Sequence, residues 1–375
     1  MKLIVFAVHG CPVGGLGPYG NEWIATPNLD RLAAEGIVYD RHFADVPDAI
    51  AARRTWWAND GLFRTLPVDS PRVLIIASRL AFDAPPDVYA PFNNIVDARP
   101  DEADQTPGDA LLRKLPELLD QLEHEKDWLI WIECDRLMPP WHVPQDVFEV
   151  YIEDLLEVEL DEHGLPVPAV ESDYAEEPLT PCSMPPVGPL PADDTATWEL
   201  IQRSFATAMT SFDAELGRCL ELIHVREPDQ RITFMLTADF GYPLGDHGIV
   251  GPIGHPHLHE GFVHLPLIVR SPNAEDAGRR IWNFTQPTDL AAVLLGEPLI
   301  RTEVVSTLTQ DEATEWAIRT DAFALLLPIA QHPDDPRMPM LYVKPDDRWE
   351  ANDVSTQHPE VLEELETKLR KSIVV

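Results

Sequence analysis

The chain has 375 residues, 45% of them apolar, and carries 28 lysines and arginines against 64 aspartates and glutamates, a net charge of −36. That length buries a sizeable core, as one large α/β domain or as a large domain with a small appendage. The acid excess repels nucleic acid and anionic membrane surfaces, which excludes both as expected partners, and slows an approaching sulfated or phosphorylated anion unless a local positive pocket opposes it.

In chain order, the apolar run of residues 3–8 follows Met1-Lys2 directly. It is too short for a signal-peptide core and lacks a small-residue cleavage site, and no apolar run approaches membrane-spanning length, so a cytoplasmic location is expected. Residues 3–8, 73–77, 128–133, 232–237 and 267–270 read as buried parallel strands alternating with helix-period segments. This predicts an α/β fold with a mostly parallel central sheet and helices on both faces. Thr26 as N-cap and Pro27 at the first helical position open a helix that closes at Gly36. Leu111, Leu112, Leu115, Leu118, Leu119 and Leu122 mark one face of another helix, which Pro116 is expected to kink or restart.

Residues 157–194 lose this pattern, since prolines alternate with acids, and read as a long surface excursion. Helical spacing returns at Trp198, Ile201, Phe205, Met209, Phe212, Leu216 and Leu220, and Pro287 or Thr288 opens another helix over 289–295. Residues 316–319, 323–327 and 340–343 read as antiparallel strands and 359–371 as a closing amphipathic helix. The predicted division is a domain over 1–312 and a small α+β subdomain over 313–375. Cys11, Cys134, Cys182 and Cys219 are widely spaced, with no C-x-x-C pair to suggest a zinc or redox site.

Several segments share one resemblance. Thr26-Pro27-Asn28-Leu29-Asp30-Arg31-Leu32-Ala33-Ala34-Glu35-Gly36 resembles the TPNLDRLAxEG signature of type I sulfatases in the alkaline phosphatase superfamily. Phe212 to Arg218 is similar to that family's helix ending in xDxxxGR, and Thr237 to Gly241 with Leu244 to Gly248 to its SDHGxxLGxHG segment. His264 to Pro272 resembles RVPLIVRxP, Thr288 to Ala291 resembles TDLAP, and Leu341-Tyr342 precedes a D-x-x-E-x-N turn at Asp347, Glu350 and Asn352. So many matches in the family's order imply an alkaline-phosphatase-like fold across the whole chain, while the chemistry has to be read position by position.

The resemblance implies a C-x-P-S-R segment whose cysteine becomes formylglycine, the nucleophile. Aligning Arg53 with the family arginine puts Ala49 at the cysteine, and a methyl group has no nucleophilic chemistry. Where the family has two adjacent metal-binding carboxylates this chain has His9-Gly10, and where it has His or Asn after the third ligand, Asp239, it has Phe240. That set speaks against calcium, which needs hard oxygen ligands. His9 reads as a residual metal ligand or as a hydrogen-bonded histidine, and Asp239 as a metal ligand, a loop cap or a partner of Arg53. In the segment resembling DPHxPWxxP, Met138 stands at the sulfate-contacting histidine, with His142 nearby, and no lysine follows His247 until Lys344. Arg53 reads as a residual anion pocket or as half of an ion pair.

His255, His257 and His259 alternate, so an extended segment would turn them to one side, and with His247, His264 or Glu260 they could hold zinc. The expected function is therefore a sulfatase-like, catalytically degenerate hydrolase homologue with no required cofactor, binding a small anion or a protein partner. The alternative is a zinc-dependent hydrolase of sulfuric or phosphoric esters with a His-rich site. A third reading makes residues 157–194 a partner-binding arm.

Overall fold

Residues 2–8 form the centre of the molecule because they offer nothing polar after Lys2: alternate side chains enter two different cores, Ile4, Phe6 and Val8 on one face and Leu3, Val5 and Ala7 on the other. The computed structural model describes residues 1–58, 61–77, 85–99, 106–152, 179–226, 231–252, 257–310, 313–329 and 337–373.

The main-sheet strands are β1 (Lys2–Val8), β2 (Ile37–Phe43), β3 (Arg72–Ala77), β4 (Asn94–Asp97), β5 (Trp128–Cys134), β6 (Ile232–Ala238), β7 (Leu267–Arg270) and β8 (Arg279–Thr285). Their spatial order is β8-β2-β7-β6-β1-β5-β3-β4, with the short strand His264–Leu265 also pairing with β2. Every pairing is parallel except that of His264–Leu265 with β2 and those of β7, which runs antiparallel to both β2 and β6. The mostly parallel sheet is as expected, but β7 corrects the parallel reading of residues 267–270, whose four apolar-rich positions fit either direction. Strands β2, β4 and β8 escape a hydrophobic-run reading for a physical reason: β2 contains Asp40, Arg41 and His42, and β4 and β8 are edge strands largely open to solvent.

The helices are α1 (Pro27–Ala34), α2 (Ala49–Trp56), α3 (Pro107–Gln121), α4 (Thr195–Arg226), α5 (Leu290–Leu295) and α6 (Pro359–Ile373), besides three shorter ones. Helix α3 buries Leu111, Leu115, Leu118 and Leu119 as its spacing predicts, and it continues through Pro116 as one helix. Thr26 occupies the N-cap of α1, but its hydroxyl accepts from the Gly17 N–H instead of capping. The cap comes from α4: the Asp213 carboxylate accepts from the Asn28 N–H at 3.0 Å and the Leu29 N–H at 2.8 Å. Gly217, one helical turn further on, lets α4 lie against Asn28, since a Cβ there would overlap the Asn28 side chain.

The second sheet is an antiparallel meander of β9 (Val304–Gln310), β10 (Ala313–Arg319), β11 (Phe323–Ile329) and β12 (Met340–Val343), packed under α6. It takes in β9, ahead of residue 313. That strand alternates half-buried positions and turns polar side chains inward: the Ser306 hydroxyl donates to the Ala44 carbonyl at 2.6 Å, and the Thr307 N–H donates to the Asp45 carbonyl at 2.8 Å. These bonds tie the small sheet to the segment leading into α2. Residues 153–178, most of the proline-rich excursion, lie outside the described residues. No helix among the described residues is long and apolar enough to cross a membrane.

Candidate functional site

The C-terminal ends of β1, β5 and β6 lie side by side, the edge where open α/β sheets carry their sites. Helix α2 begins beside them. Asp48 caps it by accepting from the Ile50 and Ala51 N–H groups at 3.0 and 2.9 Å, so its first residue is Ala49, 8% exposed and part of the main core. One turn later Arg53 reaches β5. Its Nε donates to Glu133 Oε1 at 2.6 Å and its Nη2 to Oε2 at 2.9 Å, with both side chains fully buried. Burial works against the guanidinium's charge, but Glu133, helped by Asp239 and the Tyr89 phenol, outweighs it and raises the Arg53 pKa above its ordinary value. Of the two readings of Arg53, the geometry matches the ion pair: the anion it grips is the chain's own carboxylate, in the bidentate form that guanidinium favours.

His9 follows β1 and Asp239 follows β6. The His9 Nδ1 to Asp239 Oδ2 distance is 2.5 Å, both groups are buried, and Asp239 Oδ1 accepts from the Phe240 N–H at 2.8 Å. Asp239 thus does what a loop-capping, histidine-paired carboxylate does. Burial, aided by the Asp239 charge, holds the neighbouring Cys11 thiol far above its usual pKa, which leaves it inert. Gly10 has φ +67°, and Met138 Sδ fills the place a Cβ on it would take. The loop carrying Met138 is held by the Trp141 indole N–H, which donates to the Leu137 carbonyl at 2.9 Å, and by Trp141 packing edge-on to Phe205 and Tyr242. His142 points outward to solvent while its carbonyl accepts from Arg136.

The histidines do not gather as a zinc reading requires. His247 stacks on His259 with centroids 3.8 Å apart, and its Nε2–H donates to the Trp349 carbonyl at 3.1 Å. His259 contacts the Tyr342 hydroxyl at 3.1 Å, and burial, with His247 and His257 adding to it, holds its pKa well below the ordinary imidazole value, so it is neutral. His257 lies flat on Phe262, 5.1 Å between centroids. His255 lies outside the described residues. Among those described, no three His, Cys, Asp or Glu side chains converge as metal ligands do.

Glu260 instead joins a buried ion cluster. It sits 2.7 Å from His264 Nδ1 and 3.1 Å from Lys344 Nζ, while Glu350 pairs with Lys344 at 3.1 Å and grips Arg319 through Nε at 3.0 Å and Nη2 at 2.9 Å. Burial alone would raise the Glu260 carboxyl, but His264, Lys344 and Arg319 together hold it well below the carboxylate range. The other His264 nitrogen, Nε2, lies 2.8 Å from the Asp40 carbonyl.

No protein-family model matches the chain, and no curated protein matches it. Solved structures do. A candidate sulfatase, yidJ, from Bacteroides fragilis aligns with TM-score 0.69 and 16% identity over 99% of this chain and 95% of its own. A phosphonate monoester hydrolase of Agrobacterium radiobacter aligns with TM-score 0.65 and 16% identity over 99% and 95%, and a 2-O GAG sulfatase with TM-score 0.67 and 13% identity over 100% and 92%. The fold is that of the sulfatases. Identities this low carry the fold and leave the chemistry to the residues present.

Within the sulfatase fold, the structure brings Ala49, Arg53, His9, Asp239 and Met138 to one sheet edge and there supplies Arg53 and Asp239 with protein partners. Sequence reasoning missed Glu133, although a carboxylate inside the apolar run Trp128–Cys134 needs a buried partner and was a usable signal. It also missed Glu350 and Arg319, which become neighbours only once the small sheet is in place.

Proposed function

We propose that this protein is a catalytically degenerate relative of the sulfatases that binds a small anion or a protein partner without turning it over. The observation that carries the reading is the Arg53–Glu133 pair one helical turn from Ala49: the position of the nucleophile holds a methyl group, and the cation beside it is already neutralised by a buried carboxylate. A sulfuric-ester hydrolase needs an attacking group and preorganised positive charge aimed at the departing anion. At the strand ends Asp239 is already engaged with His9 and Glu133 with Arg53, alongside Met138 and Phe240. That donor set does not fit calcium, which takes six to eight oxygens.

The deciding experiment incubates purified protein with aryl sulfate, aryl phosphate and aryl phosphonate monoesters, each with calcium, magnesium or zinc. Background rates are expected throughout. Turnover that disappears in Asp239→Asn would overturn the reading.

A further inference from the structure

We propose that the cleft between the loop at residues 17–20, the neighbouring strands β2 and β8 and the small C-terminal sheet is a binding site for a small, singly charged organic anion carrying a flat ring. The inference rests on the binding half of the proposed function and is independent of the loss of turnover.

The cleft encloses about 740 Å³, the size of a small-molecule site. Arg41, Arg280, Arg319, Lys344 and Arg348 line it, whereas the lining acids are Asp40, Glu260 and Asp321. In a chain with more than two acids for every base, this is a local reversal of sign, the pocket needed for an anion to approach a molecule of net charge −36.

Two cations there have unmet capacity. Arg319 is 2% exposed, and its Nε and Nη2 are bound to Glu350 and the Leu258 carbonyl, yet its Nη1 has no hydrogen-bond partner among the described residues. A buried guanidinium nitrogen left unsatisfied is destabilising, a cost that an incoming oxygen acceptor removes. Arg348 donates to the Tyr19 carbonyl at 2.8 Å and lies 4.6 Å from the Trp349 ring centroid, with no carboxylate paired to it among the described residues.

The acids set the charge of the ligand. Asp40 is paired with Arg280, Asp321 with Arg41, and Glu260 with His264 and Lys344. Glu350, behind the wall, pairs with Arg319 and Lys344. Arg348 is then the lining cation without a carboxylate among the described residues, a surplus suited to one negative group, and the acids repel a polyanion. The remaining wall is aromatic: Phe43 and Phe284 line the cleft, and Trp282 stands at its rim 60% exposed, with the Arg41 guanidinium 5.3 Å from its ring centroid. Neither Ala49 nor Arg53, His9, Asp239 or Met138 lines this space, so it is separate from the sheet-edge site.

The test is titration calorimetry of the full chain with 2-naphthyl sulfate and 2-naphthoate, with inorganic sulfate and 2-naphthol as controls, and naphthol release measured on the same samples. At least one naphthyl anion is expected to bind at one site per chain, tenfold or more tighter than either control. Arg348→Gln is expected to weaken it about tenfold and Trp282→Ala several-fold, both with unchanged thermal midpoints. No saturable binding by either anion, inorganic sulfate binding as tightly, or binding indifferent to both substitutions would each overturn the inference. Hydrolysis with binding intact would overturn the proposed function and leave the cleft standing.

Discussion

Met138 places its sulfur where a side chain on Gly10 would begin. Two residues 128 positions apart in sequence are therefore one packing unit: the space beside Gly10 is filled by the thioether, which bars any larger side chain there. Gly10→Ala should lose about 2–4 kcal/mol, combining the strain of a Cβ at φ +67° with overpacking against the sulfur. In a Met138→Ala background the same change should cost about 1 kcal/mol, the backbone part alone. Urea denaturation of the four proteins measures the coupling, and additive costs would refute the steric link.

The buried pair on α2 and β5 makes a second prediction. Removing one partner strands the other charge, so Glu133→Ala should destabilise by about 3–5 kcal/mol. Replacing both, as Arg53→Met with Glu133→Leu, should recover most of that loss. Chemical denaturation reads both, and a double variant no better than the single would contradict the pairing.

Restoring the missing atom should not restore a reaction. Ala49→Cys, produced alongside a formylglycine-generating enzyme, is expected to leave aryl sulfate hydrolysis at background. Arg53 stays on Glu133 and Asp239 on His9, so the new group lacks the charges that lower a barrier. Multiple turnover by that single variant would show that the remaining architecture is competent.

Stability should fall with rising pH through one identified carboxyl. Burial raises Glu315 from the ordinary 4.5 to about 7, against the opposing effect of the Leu258 N–H that donates to it at 2.6 Å. The folded state therefore holds this proton more tightly than the unfolded chain. Its contribution is complete below pH 4.5 and is lost as the pH rises through about 7. Glu315→Gln, which keeps an oxygen acceptor for Leu258, should flatten the thermal midpoint between pH 5 and 8 relative to the parent, and parallel curves would exclude Glu315 as the source.

How much was legible depended on the range of the interaction. Helix α3 and strands β1, β3, β5 and β6 follow from local apolar spacing, and each of these strands lies within a residue of its expected bounds. The described histidines part company because alternation fixes a side chain's direction only along a regular strand, whereas His247 has φ +58° and His257 and His259 pack on different rings. The Arg53 alternative could be posed from sequence but not decided, since Glu133 meets it across 80 residues. The cleft was invisible for the same reason: Arg319 and Arg348 come from one end of the chain and Tyr19 and Phe43 from the other.

The joint at Asn28, Asp213 and Gly217 has a consequence for descent. It lies in the two segments that most resemble the sulfatases, and its work is mechanical, closing the first turn of one helix against the flank of another. Any descendant that still folds has reason to keep it, whatever became of its reaction. Scaffold and chemistry are thus separable, since this joint secures the first without any part in the second.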